Sequence, residues 1–530
     1  MMNIEQRLLN PSAYPHYVDK VEHVETHISH IFLAGEYAYK VKKPLNLGFL
    51  DFSTLEARKH FCTEEVRLNS RLAKGIYIDV VSIICSDDRV FIANNKTDKQ
   101  QIGVVEYAVR MHRFDREMEL NQLLEHNSKL WKDEWLDELA IHVAKFHSAL
   151  AYAKISSGYG EADMIFSYAL ENFAQIKQHL QNQEIIKVSE QLRVWTLSQQ
   201  KRLSNTIKSR LRDGFVRECH GDMHLANMVH WQDKVQIFDG IEFSAELRWI
   251  DVISEIAFLI MDLESRGRAD LGWRFLNGYL AASGDYQGLK LLDFYCSYRA
   301  SVRAKVISIR CSQLDDKKEQ KILLDDVSHY LTLASSYTQA RKPNVIMLHG
   351  LSGSGKSTIA ASLSQLLPAI WIRSDVERKR LFGLFDDTQE SSLKGDMYAS
   401  EANSATYQRL LNLTKMLTSY GYCVIVDATF LKAKQRQMFY QAFTKKCPLV
   451  VIDLHADKNT LRQRVYQRAK ENDNISDAGV AVLEKQLYSI EPVDKVEGAS
   501  ILTLDTNRSI NPKQLVNKVR RVINTMDKAD

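Results

Sequence analysis

Long apolar runs and paired cysteines are missing from the sequence. The longest apolar stretches, such as Ile256 to Met261, are far shorter than the roughly 20 residues that a membrane-spanning helix needs, so we expect no membrane partner. The seven cysteines are scattered and include no C-x-x-C pair, a pattern typical of neither a disulfide framework nor a zinc site. No basic stretch followed by an apolar one opens the chain, and we therefore expect a cytoplasmic protein.

A large excess of charge of either sign is missing too. The 70 Lys and Arg residues against 66 Asp and Glu residues give a formal net charge of +4, which is too small to indicate a nucleic-acid or membrane partner by itself. Hydrophobic residues make up 45% and charged residues 26%, close to the average for globular proteins, which argues against a disordered chain. A length of 530 residues exceeds what one hydrophobic core supports, so two domains are the simplest expectation.

Proline is scarce, with 8 in the chain, so little interrupts the helical patterns. The first part of the sequence begins with a predicted β-hairpin over Ile31 to Lys42 and continues into a helical region from Trp131 to Leu211. A loop and a second hairpin are predicted at Cys219 to Asp239. In the last third, strands and helices alternate, which predicts an α/β domain with a parallel sheet. We therefore expect one domain at residues 1–340 and another at 341–530.

The segment Gly350 to Ser357 matches the phosphate-binding pattern G-x-x-x-x-G-K-[ST] without a gap. It follows an apolar strand and precedes a helix, which is the context that this pattern requires. Glycines let backbone N–H groups close around phosphates, Lys356 offsets their charge, and the Ser357 hydroxyl is a ligand for Mg²⁺. The residues predicted to bind the nucleotide here are Gly350, Gly353, Ser354, Gly355, Lys356, Ser357 and Thr358.

Two carboxylates stand near the ends of the next apolar runs. Asp375 follows the strand predicted over Ala369 to Arg373, where a carboxylate can take the proton from an acceptor hydroxyl in line with the γ-phosphate. The alternative is that Asp375 caps a helix beginning at Val376. Asp427 follows the run Cys423 to Val426 and is predicted to hold Mg²⁺.

These motifs resemble those of the P-loop small-molecule and polynucleotide 5′-hydroxyl kinases and, more loosely, the AAA family ATPases. The resemblance rests on Gly350 to Ser357, on Ser374-Asp375-Val376-Glu377-Arg378, and on Asp427-Ala428-Thr429. It implies an arginine-bearing lid helix, in which Arg464 and Arg468 share a face and either can reach the γ-phosphate. The alternative for each arginine is that it lies on a solvent-exposed basic face of the helix and does not contact the phosphate.

A second set of motifs lies earlier in the chain. The run His220-Gly221-Asp222-Met223-His224-Leu225-Ala226-Asn227 has the D-x-x-x-x-N spacing of a protein-kinase catalytic loop, with Gly221 where an arginine is usual. Asp239 follows at the end of a short apolar strand. In such an arrangement Asp222 accepts the substrate proton, while Asn227 and Asp239 hold the metal ions that bridge the phosphates.

This arrangement resembles the aminoglycoside phosphotransferase and choline-kinase family, on the residues His220 to Asn227 and Ile237-Phe238-Asp239. The resemblance implies a bilobal α+β fold like that of protein kinases, in which Lys40 binds the nucleotide phosphates and Glu65 on the next helix orients it. Lys42 and Glu64 are rivals for these roles, because alternate residues of a strand point to the same face.

The same resemblance makes further assignments. The run Val104 to Met111 matches the hinge between the two lobes, whose backbone reads the adenine edge. Asp251 matches an acidic residue that usually braces the catalytic loop, and we interpret it as structural. Apart from the resemblance, Arg299 and Arg303 lie four residues apart on an otherwise apolar helix, where they can bind an anionic substrate or pair with buried carboxylates, and we expect the pairing.

Together the motifs predict a bifunctional enzyme with two separate kinase sites, each using ATP and Mg²⁺. Each site is expected to phosphorylate a hydroxyl group of a small molecule, and the C-terminal site has a nucleic-acid 5′ end as a second candidate acceptor. The acceptors themselves stay open, because substrate pockets in such folds are built from variable elements. The alternative is that one domain senses nucleotide and regulates the other, as in toxin-like P-loop kinases with a controlling domain.

Overall fold

The computed structural model describes residues 4–48, 50–87, 89–93, 103–384, 400–443, 447–470, 480–493 and 499–526. The chain forms two compact units. Unit 1 comprises Met1–Trp135, Phe146–Asp262 and Tyr298–Ser328, and unit 2 comprises Leu136–Lys145, Leu263–Ser297 and His329–Asp530. The expected division between residues 340 and 341 stays a prediction. Among the described residues, no helix is both long and apolar enough to cross a membrane.

A six-stranded antiparallel sheet forms the first part of unit 1. Its strands are β1 (Val21–Glu25), β2 (Ser29–Ala34), β3 (Tyr37–Lys42), β4 (Tyr77–Ser86), β5 (Arg89–Ile92) and β6 (Val104–His112), with the helices α1 (Ile4–Leu8) and α2 (Leu55–Asn69). The strand order is β1-β2-β3-β6-β4-β5, which confirms the predicted hairpin of β2 and β3. Helix α2 begins where the Thr54 hydroxyl accepts a hydrogen bond from the Ala57 N–H at 3.1 Å, a typical N-cap.

The run that the resemblance assigns to the hinge is a strand, as its β-rich composition predicts. The run Val104 to Met111 lies within β6, which pairs with β3 on one side and with β4 on the other. Ala108 to Met111 pair with both neighbouring strands, so their backbone N–H and C=O groups are used by the sheet, whereas the residues of β6 before Ala108 pair with β4 alone. The link from the sheet to the helices follows at residues 113–119.

Helices make up most of the next 220 residues. They are α3 (Leu120–Glu125), α4 (Trp135–Ala149), α5 (Ala162–His179), α6 (Gln183–Arg212), α7 (Ala245–Arg248), α8 (Val252–Ser265), α9 (Ala269–Ser283), α10 (Leu289–Ser312) and α11 (Lys317–Ser336). Two short strand pairs interrupt them, β7 (Val216–Glu218) with β10 (Trp249–Asp251), and the hairpin of β8 (Met228–Trp231) and β9 (Lys234–Ile237). Gln232 and Asp233 both have positive φ in that hairpin's turn, as two-residue turns of this kind require.

A five-stranded parallel sheet forms the centre of the C-terminal part of unit 2. Its strands are β11 (Val345–His349), β12 (Ala369–Arg373), β13 (Cys423–Asp427), β14 (Leu449–His455) and β15 (Ala499–Asp505), in the order β12-β13-β11-β14-β15. The helices are α12 (Lys356–Leu366), α13 (Ser374–Leu381), α14 (Ser400–Ser419), α15 (Ala433–Phe443), α16 (Lys458–Lys470), α17 (Val480–Ser489) and α18 (Pro512–Met526). Every residue of β11 is buried, as expected for a central parallel strand. The predicted α/β fold is confirmed.

Helix α9 also belongs to unit 2, where it covers the edge strand β12. The Asn277 amide donates to the Ala369 carbonyl at 3.0 Å and accepts from the Trp371 N–H at 2.7 Å. An uncovered edge strand would present these backbone groups for pairing with another chain. The parallel sheet therefore uses a residue that precedes it by about 90 positions.

Candidate active sites

The unit 1 site begins with two buried lysines on β3. Lys40 and Lys42 face the same side of the sheet, and both contact the fully buried Glu65 on α2, with Nζ to Oε distances of 2.8 and 2.7 Å. Glu64 lies elsewhere, pairing with Arg67 at 2.7 Å. The structure therefore brings Glu65, and not Glu64, to the lysines, and it places both lysines at the site.

Each lysine has a second carboxylate partner. Lys40 Nζ lies 2.5 Å from Asp239 Oδ1, and Lys42 contacts Glu242. The result is a row of five alternating charges, which we call the ion-pair row: Asp239, Lys40, Glu65, Lys42 and Glu242. Burial alone would lower the pKa of both lysines, but the surrounding carboxylates raise it above the ordinary lysine value. Both ammonium groups are therefore charged at neutral pH.

The catalytic-loop residues lie together at the end of β7 and the start of β8. Asn227 Nδ2 donates to the backbone oxygen and to Oδ2 of Asp222, both at 3.0 Å, and His224 Nε2 lies 3.3 Å from the same carboxylate. Burial alone would raise the pKa of Asp222, but His224, His220 and Arg303 hold it well below the ordinary aspartate value. Asp222 is therefore an ionised carboxylate, able to accept a proton.

Asp239 follows the β8–β9 hairpin with a left-handed backbone, at φ +60. Its N–H donates to the Tyr77 hydroxyl at 3.1 Å, and the next N–H, of Gly240, donates to the Asn69 amide oxygen at 2.7 Å. These bonds hold a conformation that a non-glycine residue rarely adopts unaided. They fix the Asp239 carboxylate beside Lys40.

Helix α8 braces the catalytic loop through a residue that the sequence analysis did not assign. Both oxygens of Glu255 accept loop hydrogen bonds, from the His220 N–H at 2.6 Å and the Gly221 N–H at 2.9 Å. Asp251, the expected brace, instead pairs with the buried Arg210 at 2.7 Å. The residue that braces the loop is therefore Glu255, four positions after the expected Asp251, because only the Glu255 carboxylate reaches the loop N–H groups.

Gly221 and Arg299 complete this part of the loop. Gly221 has φ +89, and a Cβ atom there would lie 2.9 Å from the Leu247 oxygen, which explains why no arginine stands at this position. Arg299 donates to the carbonyls of Gly221 and Ser254 at 3.3 and 3.2 Å. Its third hydrogen bond goes to the Ser254 hydroxyl at 3.1 Å, so among the described residues its hydrogen-bond partners are carbonyls and a hydroxyl, and the expected pairing with a carboxylate was wrong for this residue.

The unit 2 site surrounds the P-loop between β11 and α12. Gly350, Gly353 and Gly355 all have positive φ, and a Cβ atom at Gly350 would meet the Leu454 oxygen at 2.7 Å. Lys356 Nζ donates to the Gly350 and Leu351 carbonyls at 3.0 and 2.8 Å. Burial and the nearby Arg468 lower the pKa of Lys356 to about 8, against the opposing effect of Asp427 and Asp375.

The predicted carboxylates lie at the carboxyl ends of β12 and β13. Asp427 is hydrogen-bonded by Ser357 and accepts from Trp371 Nε1 at 3.2 Å, and burial raises its pKa. Asp375 pairs with Arg373 at 3.3 Å. Helix α13 begins at Ser374 with Arg373 as its N-cap, so Asp375 lies in the first turn and does not cap a helix beginning at Val376.

The two lid arginines, both on α16, differ in their contacts. Arg464 donates to the Gly353 carbonyl at 3.3 Å and to the Thr506 carbonyl at 2.7 Å, so it ties α16 to the P-loop. Arg468 interacts electrostatically with Lys356. Both line the same cavity as Gly353, Gly355, Lys356, Ser357, Thr358, Asp375 and Asp427. This cavity has a volume of about 710 Å³, and Ser354 is buried beneath it with Gly350.

The residues at both sites fit a bound magnesium ion. The candidate ligands are Asn227 and Asp239 in unit 1 and Ser357 and Asp427 in unit 2, which offer amide, carboxylate and hydroxyl oxygens. Oxygen donors of these kinds are the ligands that Mg²⁺ prefers. Each set also lies beside a lysine, Lys40 or Lys356, that can neutralise phosphate charge.

Glu242 and Glu255 are the site residues that motif reasoning missed. The sequence around each of these residues has a feature that could have identified it. Glu255 is a lone carboxylate in the apolar run of α8, and such residues are rarely fully buried without a donor. Glu242 follows Asp239 by three residues within a loop rich in apolar side chains. Their partners could not be identified from sequence, because the lysine and the loop N–H groups lie far away along the chain.

Fold and site together define a chain with kinase-like folds in both of its parts, the second of them a P-loop domain. Residues 345–493 match the AAA domain family AAA_33. The uncharacterized proteins Rv2004c of Mycobacterium tuberculosis and Mb2027c of Mycobacterium bovis are each 31% identical over 471 residues, which covers 87% of this chain and 89% of the relative. The chain therefore belongs to the same protein family as Rv2004c.

Solved kinase structures resemble each part separately. A choline kinase from Cryptosporidium parvum covers 62% of this chain and 93% of its own, with 12% identity and a TM-score of 0.37. A gluconokinase from Sinorhizobium meliloti covers 36% of this chain and 94% of its own, with 18% identity and a TM-score of 0.25.

Proposed function

We propose that this chain is a bifunctional ATP-dependent phosphotransferase with one kinase site in each unit. The observation that carries the proposal is the same in both units. In each unit an aspartate accompanies oxygen ligands for a metal ion and a lysine for the phosphates. In unit 1, Asp222 is bonded to Asn227 and Asp239 to Lys40; in unit 2, Asp375 lines one cavity with Lys356, Ser357 and Asp427. Phosphoryl transfer needs little more from a protein than this positioning and charge neutralisation.

In unit 1, Lys40 binds the nucleotide phosphates, and Glu65 holds the Lys40 ammonium group in place. Asn227 and Asp239 hold Mg²⁺, and Asp222 accepts the proton of the acceptor hydroxyl. A magnesium ion held by these residues would supply positive charge that offsets the charge of the phosphates. The acceptor class for this site is a small molecule with a hydroxyl group.

In unit 2, the backbone N–H groups of Gly353, Ser354 and Gly355 surround the nucleotide phosphates, and Lys356 neutralises them. Ser357 and Asp427 hold Mg²⁺, and Asp375 accepts the acceptor proton. Arg468 approaches the γ-phosphate, since Arg464 is already bonded to the Gly353 and Thr506 carbonyls. The two acceptor classes considered are a small alcohol and a nucleic-acid 5′ end.

The test uses the full chain and two variants, Asp222→Asn and Asp375→Asn, with a library of small alcohols and a 5′-hydroxyl oligonucleotide. Phosphorylated products are identified by mass spectrometry. We expect each variant to lose a different set of products by about 100-fold or more in rate. The control is Asp233→Asn, an exposed turn residue that should change neither set, because asparagine suits the same turn.

The regulator alternative gives a different result in the same experiment. If one unit only controlled the other, a single variant would abolish every product, and the other variant would change rates without removing a set of products. Retention of all products by both variants would contradict both assigned bases. What supports an active site in unit 1 is that Asn227 donates to Asp222 at 3.0 Å and that Asp239 lies beside Lys40.

A further inference from the structure

The cavity beside the P-loop has more positive charge than a nucleotide uses. Its described lining includes seven Lys and Arg side chains but two Asp side chains. Lys356 and Arg468 are assigned to the nucleotide phosphates, and Arg464 is bonded to the P-loop carbonyl of Gly353. Lys485 lies on α17, the helix after the lid helix α16. The other three, Arg373, Arg378 and Lys432, form a second group, which we call the acceptor-side cations.

The acceptor-side cations come from the elements that carry the proposed base and metal ligand. Arg373 and Arg378 flank Asp375 at the end of β12 and on α13, and Lys432 follows β13, the strand of Asp427. In an open parallel sheet, substrates bind at the carboxyl ends of the strands. These three cations therefore lie where the acceptor must enter, while the lid cations come from α16 and α17.

Arg373 is the best-placed member of the group. Its guanidinium lies 4.9 Å from the centre of the Trp371 ring and 3.3 Å from Asp375. Its buried Nε has no hydrogen-bond partner among the described residues, so it has a donor to spare for a ligand. Lys432 pairs with Glu491 at 3.1 Å, but both side chains are nearly half exposed, and such surface pairs are weak.

The lining favours a small acceptor over a nucleic-acid end. Proteins that bind single strands combine positive charge with aromatic rings on which bases stack. Among the described lining residues, Tyr407 is the single aromatic one. It is buried, and its hydroxyl is engaged by the Phe430 N–H at 3.0 Å. The described lining of the cavity therefore provides positive charge that can bind an anion, but no accessible aromatic ring on which a nucleic-acid base could stack.

We infer that the acceptor of the unit 2 site is a small alcohol that also carries an anionic group, a carboxylate or a phosphate, bound by Arg373, Arg378 and Lys432. In the reaction, the acceptor oxygen forms a bond to the γ-phosphorus while the bond from that phosphorus to the β,γ-bridging oxygen breaks. The electron pair leaves with ADP, and the hydroxyl proton passes to Asp375. The inference rests on the proposed kinase function of this site.

Binding measurements on the full chain test the inference. The protein is saturated with Mg²⁺ and a non-hydrolysable ATP analogue, and then titrated with hydroxy acids, sugar phosphates, their neutral parent alcohols and a 5′-hydroxyl oligonucleotide. We expect at least one anion to bind about tenfold or more tighter than its neutral parent. Carboxylate and phosphate members of the panel distinguish the two anionic groups.

Substitutions at the acceptor-side cations test whether the anion binds in this cavity. Arg373→Gln should weaken anion binding by about tenfold, and Arg373→Lys, which keeps the charge, should restore part of it. Lys434→Gln is the matched control, because Lys434 is exposed on α15 and does not line the cavity. An equal affinity for neutral parents, unchanged binding by Arg373→Gln, or binding of the oligonucleotide alone would overturn the inference. Any of these results would leave the kinase proposal intact, provided that the protein still binds nucleotide and phosphorylates some other acceptor. If the unit 2 site did neither, the kinase proposal itself would be wrong.

Discussion

At the scale of single residues, the unit 1 site depends on how charges are paired inside the protein. Glu65 is fully buried and shares its two oxygens between Lys40 and Lys42. A buried carboxylate is costly unless it is paired and hydrogen-bonded. Lys42 therefore contributes to the site even if Lys40 alone touches the nucleotide, because Lys42 fixes the carboxylate that orients Lys40.

We predict that Lys42→Met destabilises unit 1 by about 3 kcal/mol, because it leaves Glu242 buried without its cation. The same change should raise the KM for ATP at that site, since Glu65 loses one of the two lysines that hold its carboxylate in place. The double variant Lys42→Met/Glu242→Gln should recover much of the stability but not the KM. Chemical denaturation and steady-state kinetics measure the two effects. Equal recovery of both would show that Lys42 has no positioning role.

The second residue-scale prediction separates the base from the metal ligand in unit 1. Asp222→Asn should slow phosphoryl transfer by about 100-fold to 10,000-fold, because a base contributes that much, while Mg-ATP binding stays nearly unchanged. Asp239→Asn should instead weaken Mg²⁺-dependent nucleotide binding. Calorimetry and single-turnover kinetics give both quantities. If Asp222→Asn lost Mg-ATP affinity as severely as Asp239→Asn, the assigned roles would be wrong.

At the scale of elements, helix α8 acts as the support of the catalytic loop. Glu255 accepts two consecutive loop N–H groups, and Asp262, two turns later, accepts the Leu225 N–H at 2.9 Å. Charge-assisted bonds of this kind are stronger than neutral ones. The loop that carries Asp222 is thus fixed from one face of one helix.

We predict that Glu255→Gln lowers kcat at the unit 1 site by about tenfold or more while the KM for ATP changes little. The amide has one acceptor oxygen in place of two, so one loop N–H loses its partner and Asp222 is less well placed. Asp251→Asn provides the comparison, because Asp251 contacts Arg210 and should mainly reduce stability. A pure loss of stability in Glu255→Gln, with normal kcat in the folded fraction, would contradict the positioning role.

A further element-scale prediction concerns the edge strand of unit 2. Asn277→Ala leaves the Ala369 carbonyl and the Trp371 N–H without partners, which should cost about 2 to 4 kcal/mol. Urea denaturation of the variant measures this cost. Asn205→Ala, at an exposed position of α6, should stay within about 0.5 kcal/mol of the original protein. A similarly small effect at Asn277 would mean that solvent replaces the two bonds.

The elements that sequence could predict are those whose signal is local. The P-loop, the strands β11 and β13 and the β8–β9 hairpin each combine an apolar run with specific turn residues, so spacing alone identified them. Strand β15 was missed because its residues are half exposed and give a weak apolar pattern. The loop brace was misplaced because the contacts of a loop depend on distant parts of the chain. The assignment of Val104 to Met111 to the hinge stays a prediction.

At the scale of the whole molecule, each unit contains its own set of the residues to which we assign phosphate binding, metal binding and proton transfer. Lys40 and its carboxylate partners all belong to unit 1, and the residues lining the P-loop cavity all belong to unit 2. Nothing in either set is shared with the other. Two phosphate-binding centres in one chain predict two nucleotides per chain.

We predict that Lys356→Ala abolishes nucleotide binding in unit 2 and leaves the nucleotide affinity of unit 1 within about twofold, because sites that share no residues or partners behave independently. Calorimetric titration of the full chain with Mg-ATP should show two sites in the original protein and one in the variant. Lys40→Ala should remove the other site, and Lys434→Ala, at an exposed position, should remove neither. No remaining site in Lys356→Ala would mean that the units depend on one another for binding, and two remaining sites would mean that the P-loop lysine does not hold the nucleotide.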